Sequence, residues 1–265
     1  MSEIADIVDL KLWPVDRLDS VEGQTLVETC RTSLARDGMF NLEGFLRPEA
    51  IERILTGVKP TLENGSFLHA RTHNIYFRKS VEGLPDDHPI LRQFETSNNT
   101  ICADQFEDND LFRLYQWEPF RVFLAAAMNK PVLYPMDDML ACANVMSYRD
   151  GQALNWHFDR SEFTTTLLLQ AVDSGGDFQY SQDLRSDDDP NYEGVLRLLQ
   201  GQDRNLRTLE LKSGTLNVFR GKNTPHRVTP VRGEGQRIMS VFSYFEQPGV
   251  SFSDEDRLGF YGRIR

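Results

Sequence analysis

Cysteine is scarce: three occur in 265 residues, and Cys30, Cys102 and Cys142 stand far apart. An odd, scattered set supports neither a disulfide framework nor a zinc site, and mostly apolar flanks suit reduced, buried thiols. Positive charge is also short, with 29 Lys and Arg against 40 Asp and Glu and a net charge of −11. Such a chain repels phosphate backbones and anionic lipid, so neither nucleic acid nor a membrane surface is an expected partner. No apolar run reaches the roughly 18 residues that a spanning helix needs. The opening Met1-Ser2-Glu3-Ile4-Ala5-Asp6 lacks the basic and apolar regions of a secretory signal. The expectation is a cytoplasmic protein whose partner is a small molecule, with a homo-oligomer compatible with the sequence.

Histidine is scarce too, five in all, which makes its placement informative. Asn155-Trp156-His157-Phe158-Asp159-Arg160 leads into an apolar, strand-like run from Phe163 to Val172. In an extended segment His157 and Asp159 project to one side and can reach one metal ion. With 40 acidic residues and five histidines in 265, roughly 0.75 His-x-acid pairs arise by chance, so the spacing needs context. Some seventy residues on, the turn Gly221-Lys222-Asn223-Thr224-Pro225 delivers His226 to a second short run ending at Val231. Two histidines and a carboxylate on one face of a metal leave three positions open, the set diagnostic of non-haem Fe(II) oxygenases.

Eleven residues after His226 comes Arg237, opening the run Gln236 to Phe245. Alternation puts it on one face with Met239 and Val241, so a guanidinium in apolar company calls for a carboxylate partner. A dicarboxylic co-substrate would supply one. Arg227 and Arg232 are alternative anchors with less apolar surroundings.

These residues resemble the Fe(II)- and 2-oxoglutarate-dependent oxygenases, in which a double-stranded β-helix carries His-x-Asp, a distal His and, about ten residues later, an Arg for the far carboxylate of 2-oxoglutarate. His157, Asp159, His226 and Arg237 match position by position. Phe163 to Gln170, Phe219 to Val231 and Ser243 to Val250 look like the subgroup of bacterial halogenases and hydroxylases of free amino acids. The likeness covers the chain well from about Asp150 onward and more loosely before it. It implies Fe(II), 2-oxoglutarate and O2 as cofactors, a free amino acid as substrate, and release of succinate and CO2. Halogenases of this type replace the carboxylate ligand by Gly to admit halide. Asp159 stands there instead, so the resemblance implies a hydroxylase. The three ligands alone would equally serve a cupin-like zinc or manganese hydrolase or isomerase, or a non-catalytic barrel that binds a small molecule; Arg237 has no task in the former.

The expected architecture is mostly β with flanking helices: a double-stranded β-helix (jelly-roll, cupin-like) core behind an N-terminal helical region. A chain of 265 residues is large enough for one substantial core, read as one domain with support at 1–130, core at 131–250 and tail at 251–265. Helices are expected from Ser20 to Asp37, Pro48 to Val58, Trp117 to Met128 and Glu193 to Leu199. Strands are expected at Met39 to Leu42, Asn74 to Arg78, Leu140 to Tyr148, Leu206 to Leu211 and Thr215 to Arg220, besides the runs around the motif residues. His69 and His73 read as members of a polar loop entering a strand, because Ala70 stands where a zinc protease needs Glu. The cluster Asp187-Asp188-Asp189-Pro190 lacks calcium-site spacing and reads as a solvated loop. Arg78, beside aromatics, and Arg160, next to the claw, are candidate anchors for a substrate carboxylate, each weighed against a surface salt bridge. Phe260 and Tyr261 in the tail suggest docking on the body or a roof over a pocket.

Overall fold

A computed structural model describes residues 3–265. The chain opens with helix α1 (Val21–Asp37), strand β1 (Met39–Leu42), helix α2 (Pro48–Asn64) and strands β2 (Phe67–His73) and β3 (Phe94–Cys102). Helices α3 (Asp110–Gln116) and α4 (Glu118–Ala127) precede strands β4 (Tyr134–Pro135), β5 (Ala143–Tyr148), β6 (Leu154–His157), β7 (Thr164–Gln170) and β8 (Phe178–Tyr180). The chain closes with helix α5 (Tyr192–Leu199), strands β9 (Arg207–Leu209), β10 (Leu216–Phe219), β11 (His226–Val228), β12 (Arg237–Phe242) and β13 (Tyr244–Phe245), and helix α6 (Asp254–Tyr261).

Capping explains where α1 lies. The Ser20 side chain accepts the Gly23 N–H at 3.0 Å, and Gly38 ends the helix at φ 73°, a backbone angle that suits glycine. Helix α2 begins on Pro48 and runs past Pro60 to Asn64, six residues beyond the expected end, because Leu62 is drawn into the core. The helix expected from Trp117 to Met128 is α4, and a shorter helix absent from the sequence expectation, α3, capped by Asn109, precedes it and ends at Gln116.

Two antiparallel sheets form the jelly roll. The larger runs in the order β1-β10-β7-β12-β5-β3-β2 and the smaller β6-β11-β8-β9, with β4 and β13 paired separately. Period-two alternation sorts each strand's residues between the layers. From β7 and β12, Leu167, Leu169, Ile238 and Phe242 face outward and join Cys30 and Leu34 of α1, Ile54 of α2 and Phe123 of α4 in one apolar core. Burying each such side chain contributes roughly 1.5–3 kcal/mol. Their strand neighbours Thr164, Thr166, Arg237, Met239 and Val241 face the other way and line a cavity between the sheets. All three cysteines are buried and unpaired, and burial pushes each thiol up to about 12.

Residues 67–79 differ from expectation. The strand is Phe67–His73, and the stretch expected to be extended, Asn74 to Arg78, is a tight turn. The Asn74 side chain causes it, accepting the backbone N–H of Tyr76 at 3.2 Å and of Arg78 at 3.1 Å. Strand β3, absent from the sequence expectation, pairs with β2 and β5 and extends the larger sheet. Residues 187–190 form an irregular exposed loop in which Asp187 pairs with Lys222 at 2.7 Å. Helix α6 packs across β2 and β3: the Tyr261 hydroxyl donates to Asn144 Oδ1 at 3.2 Å, and Phe260 stacks on His69. No helix among the described residues is long and apolar enough to cross a membrane.

Candidate active site

His157 ends β6 and His226 opens β11, and these two residues are direct cross-strand partners. Asp159 lies two residues beyond His157, where its backbone N–H donates to the Gly221 carbonyl at 3.1 Å. His157 Nε2 and His226 Nε2 stand 3.3 and 3.4 Å from Asp159 Oδ1, and the three groups offer ligand atoms within 4.8 Å of one another. Such a group could hold one metal ion on one face.

The surroundings fix which atoms point inward. His157 Nδ1 donates to the Asn155 carbonyl at 2.8 Å and His226 Nδ1 to the Thr224 carbonyl at 3.0 Å. A carbonyl can only accept, so both Nδ1 atoms carry protons and both Nε2 atoms face Asp159. The Thr164 hydroxyl donates to Asp159 Oδ2 at 2.5 Å, leaving Oδ1 for a metal. Burial would raise Asp159, but the two imidazoles hold its carboxyl well below the usual range. Burial and the neighbouring His226 lower His157, while for His226 the Asp159 carboxylate outweighs burial and raises its pKa. Gly221 is required by space alone: a Cβ there would sit 2.0 Å from Asp159 Oδ2.

Behind His157 a run of hydrogen bonds reaches the Asn74 turn. The Asn155 N–H donates to Thr96 Oγ1 at 3.0 Å, the Thr96 hydroxyl to His73 Nε2 at 2.8 Å, and His73 Nδ1 to the Asn74 carbonyl at 3.0 Å. Burial lowers His73 to about 4, so its ring is neutral at pH 7 and accepts the Thr96 proton.

Arg237 lines the same cavity and is 4 % exposed. Its Nη1 meets the Met239 thioether at 2.9 Å and its Cζ lies 5.9 Å from the Tyr148 ring centre; no carboxylate pairs with it among the described residues. Burial lowers its pKa. A thioether is a weak acceptor for a buried guanidinium, so the geometry calls for an anionic ligand. Gly176 makes room for it, since a Cβ there would approach Arg237 Cδ to 3.0 Å. The cavity, about 560 Å³, also contains Asn217, whose buried Oδ1 has no partner.

The other candidate arginines are dispersed. Arg232 is exposed and outside the cavity, its backbone N–H bound to the Ser174 carbonyl. Arg227 lies over Trp156 and donates to Gln179. Arg160 reaches the cavity rim but forms a salt bridge with Asp256 of α6 at 2.9 Å and remains largely exposed. Arg78 is exposed at the cavity mouth on the Asn74 turn. Sequence reasoning passed over Arg71 and Phe77. Arg71 lines the wall between His69 and His73, its Cζ 4.5 Å from the Phe77 ring centre and 5.1 Å from that of Phe260. Alternation along residues 67–73, had they been read as a strand, would have placed all three on one face. Phe77 adopts φ 54°, uncommon for a bulky residue, and lies edge-on to His157 at 6.3 Å.

Comparison with known proteins adds three findings. A family model described as Halogenase D matches residues 23–253. A search of curated proteins finds no match. Among solved structures, a Pseudomonas putida prolyl-4-hydroxylase is 13 % identical over 84 % of this chain and 100 % of its own, with a TM-score of 0.53. The non-heme alpha ketoglutarate dependent epimerase SnoN from nogalamycin biosynthesis is 13 % identical over 84 % and 83 %, with a TM-score of 0.58. HygX from Streptomyces hygroscopicus, solved with nickel and 2-oxoglutarate bound, is 14 % identical over 83 % and 86 %, with a TM-score of 0.52. At these identities the likeness is one of fold.

Proposed function

The chain belongs to the Halogenase D family, and from that membership and the site geometry we propose that it is an Fe(II)- and 2-oxoglutarate-dependent dioxygenase that hydroxylates an unactivated C–H bond of a free amino acid. The carrying observation is Arg237: a buried guanidinium with only a thioether beside it, in the same cavity as two histidines and a carboxylate poised for one metal. A zinc or manganese hydrolase would leave that arginine unemployed. The fold shared with HygX, whose structure holds nickel and 2-oxoglutarate, supports a metal ion with 2-oxoglutarate here.

In this reading His157, Asp159 and His226 hold Fe(II), and Arg237 pairs with the distal carboxylate of 2-oxoglutarate. When bound, iron, 2-oxoglutarate and dioxygen supply an oxidative decarboxylation, yielding succinate and CO2, that is coupled to oxygen insertion into a C–H bond. The chain's own residues orient and exclude water. Asn155 and Thr224 fix the two imidazole tautomers, Thr164 fixes the carboxylate, and Phe178, Phe219, Met239 and Val241 give the cavity apolar walls. Asp159 favours hydroxylation over halogenation because its carboxylate fills the position that a halide would need, with Gly221 shaped to accommodate it.

The test is anaerobic addition of Fe(II) and 2-oxoglutarate to metal-free protein, reading the visible charge-transfer band of the chelate, followed by oxygen-dependent succinate release across a panel of amino acids. A band that His157→Ala abolishes is the expected result. No band, with zinc or manganese bound tightly instead, overturns the reading.

A further inference from the structure

The cavity departs from the rest of the molecule in charge. The sequence has 40 acidic residues in 265, a frequency that would place about five among the 32 residues lining the cavity; one is there, Asp159, and the metal set takes it. Five cationic side chains line the same walls, in a protein of net charge −11. Arg237 is matched to the co-substrate and Arg160 to Asp256. Arg71, Arg78 and Lys79 remain, and among the described residues none forms a salt bridge.

Arg71 is the best placed of the three. Its guanidinium is held between the rings of Phe77 and Phe260, and its Nε is buried without a hydrogen-bond partner. Aromatic faces stabilise a cation and fix its plane, but they leave the fork of N–H donors unused. The Phe77 ring contacts both, with the Arg71 guanidinium carbon 4.5 Å and the His157 ring centre 6.3 Å from its centre, so Arg71 and the candidate metal ligands border one cavity. The Asn74 turn carries Arg78, and with Lys79 it also borders the cavity.

We propose that the substrate is a net-anionic small molecule, an amino acid with a second acidic group, whose charge is read by Arg71 with Arg78 and Lys79. What happens to that molecule rests on the oxygenase reading above; its binding does not. An uncompensated cationic wall attracts a second carboxylate or a phosphate, repels a lysine-like side chain, and leaves donors unpaired against an aliphatic one.

Anaerobic calorimetry tests this with L-glutamate, L-aspartate, O-phospho-L-serine, L-lysine and L-leucine, on protein loaded with Fe(II) and 2-oxoglutarate and again on metal-free protein. Failure of the chelate to form then overturns the functional reading while the binding series stays readable. At least one acidic member is expected to bind about tenfold or more tightly than lysine and leucine, the difference one charge-assisted contact makes. The glutamate and phosphoserine arms separate carboxylate from phosphate recognition. Arg71→Met, flanked by two aromatic rings that accept a thioether, is expected to erase that preference, and Arg78→Gln to reduce it. In the metal-free series the loss must follow Arg71 and not Arg237→Met, which distinguishes the substrate wall from the co-substrate anchor. Tighter binding of lysine or leucine, no binding of any acidic member, or a preference that survives Arg71→Met overturns the proposal; if Arg71→Met does not fold, the ranking on the unsubstituted protein decides.

Discussion

Arg237→Met should make the protein more stable and worse at binding its co-substrate. The guanidinium is 4 % exposed, has a thioether in place of a carboxylate, and is pushed down in pKa by burial, so folding alone strips it of water without repayment. Removing an inadequately paired buried polar or charged group yields about 1–3 kcal/mol. For a chain of this size that is a rise in Tm of about 2–10 °C. Methionine keeps the unbranched stem that packs beside Gly176, so no large cavity opens. The affinity for 2-oxoglutarate moves the other way. Truncating one partner of a buried charge pair costs about 2–5 kcal/mol, or roughly 30- to 5,000-fold in Kd. The assay pairs thermal unfolding of the metal-free protein with titration of the charge-transfer band under anaerobic Fe(II). A variant that is less stable, or that keeps wild-type 2-oxoglutarate affinity, refutes the assignment of Arg237.

Three further outcomes are expected. Gly221→Ala drives a methyl group to 2.0 Å from Asp159 Oδ2 and displaces the carboxylate; Fe(II) affinity measured by competition with a chromophoric chelator should fall about 10- to 100-fold, as when a ligand's support is lost. Asp159→Gly should leave 2-oxoglutarate binding on Arg237 in place, abolish hydroxylation, and make the charge-transfer band sensitive to chloride; a band indifferent to halide counts against the open position. His73 has a folded pKa lowered to about 4, so below pH 6.5 the unfolded state takes up the proton first and stability drains away as pH falls towards 4, by on the order of 1–3 kcal/mol. Denaturant melts from pH 7 to 4 should show His73→Gln losing less stability over that window than the unsubstituted protein, and equal slopes would disprove the neutral buried ring.

That His157, Asp159 and His226 converge was legible because the segments that carry them have strong local signals: a turn before each histidine and period-two alternation after it. Strands β7 and β10 fell within a residue or two of expectation for the same reason, and the run expected from Gln236 to Phe245 is β12 and β13, broken at Ser243. The region from 67 to 102 was not legible. Its inward residues His69, Arg71, His73, Thr96, Asn98 and Thr100 are polar, since they face a cavity and not an apolar core, so the alternation that marks a strand carried no hydrophobic contrast. The wall proposed to read the substrate thus left the weakest pattern. Arg160 shows a different limit. Its contact with Asp256 spans 96 residues, and only the docking of α6 brings the two together.

The hydrogen-bond run from His157 through Asn155, Thr96 and His73 to Asn74 also bears on how this protein can be re-engineered. It ties the orientation of the His157 ring to the turn that presents Phe77 and Arg78, so the two cannot drift independently. Libraries that vary Arg71, Phe77 and Arg78 while sparing Asn74, His73 and Thr96 search new substrates on an unchanged metal platform. Libraries that include those three disturb both at once, and most of their members would be lost before substrate choice is ever tested.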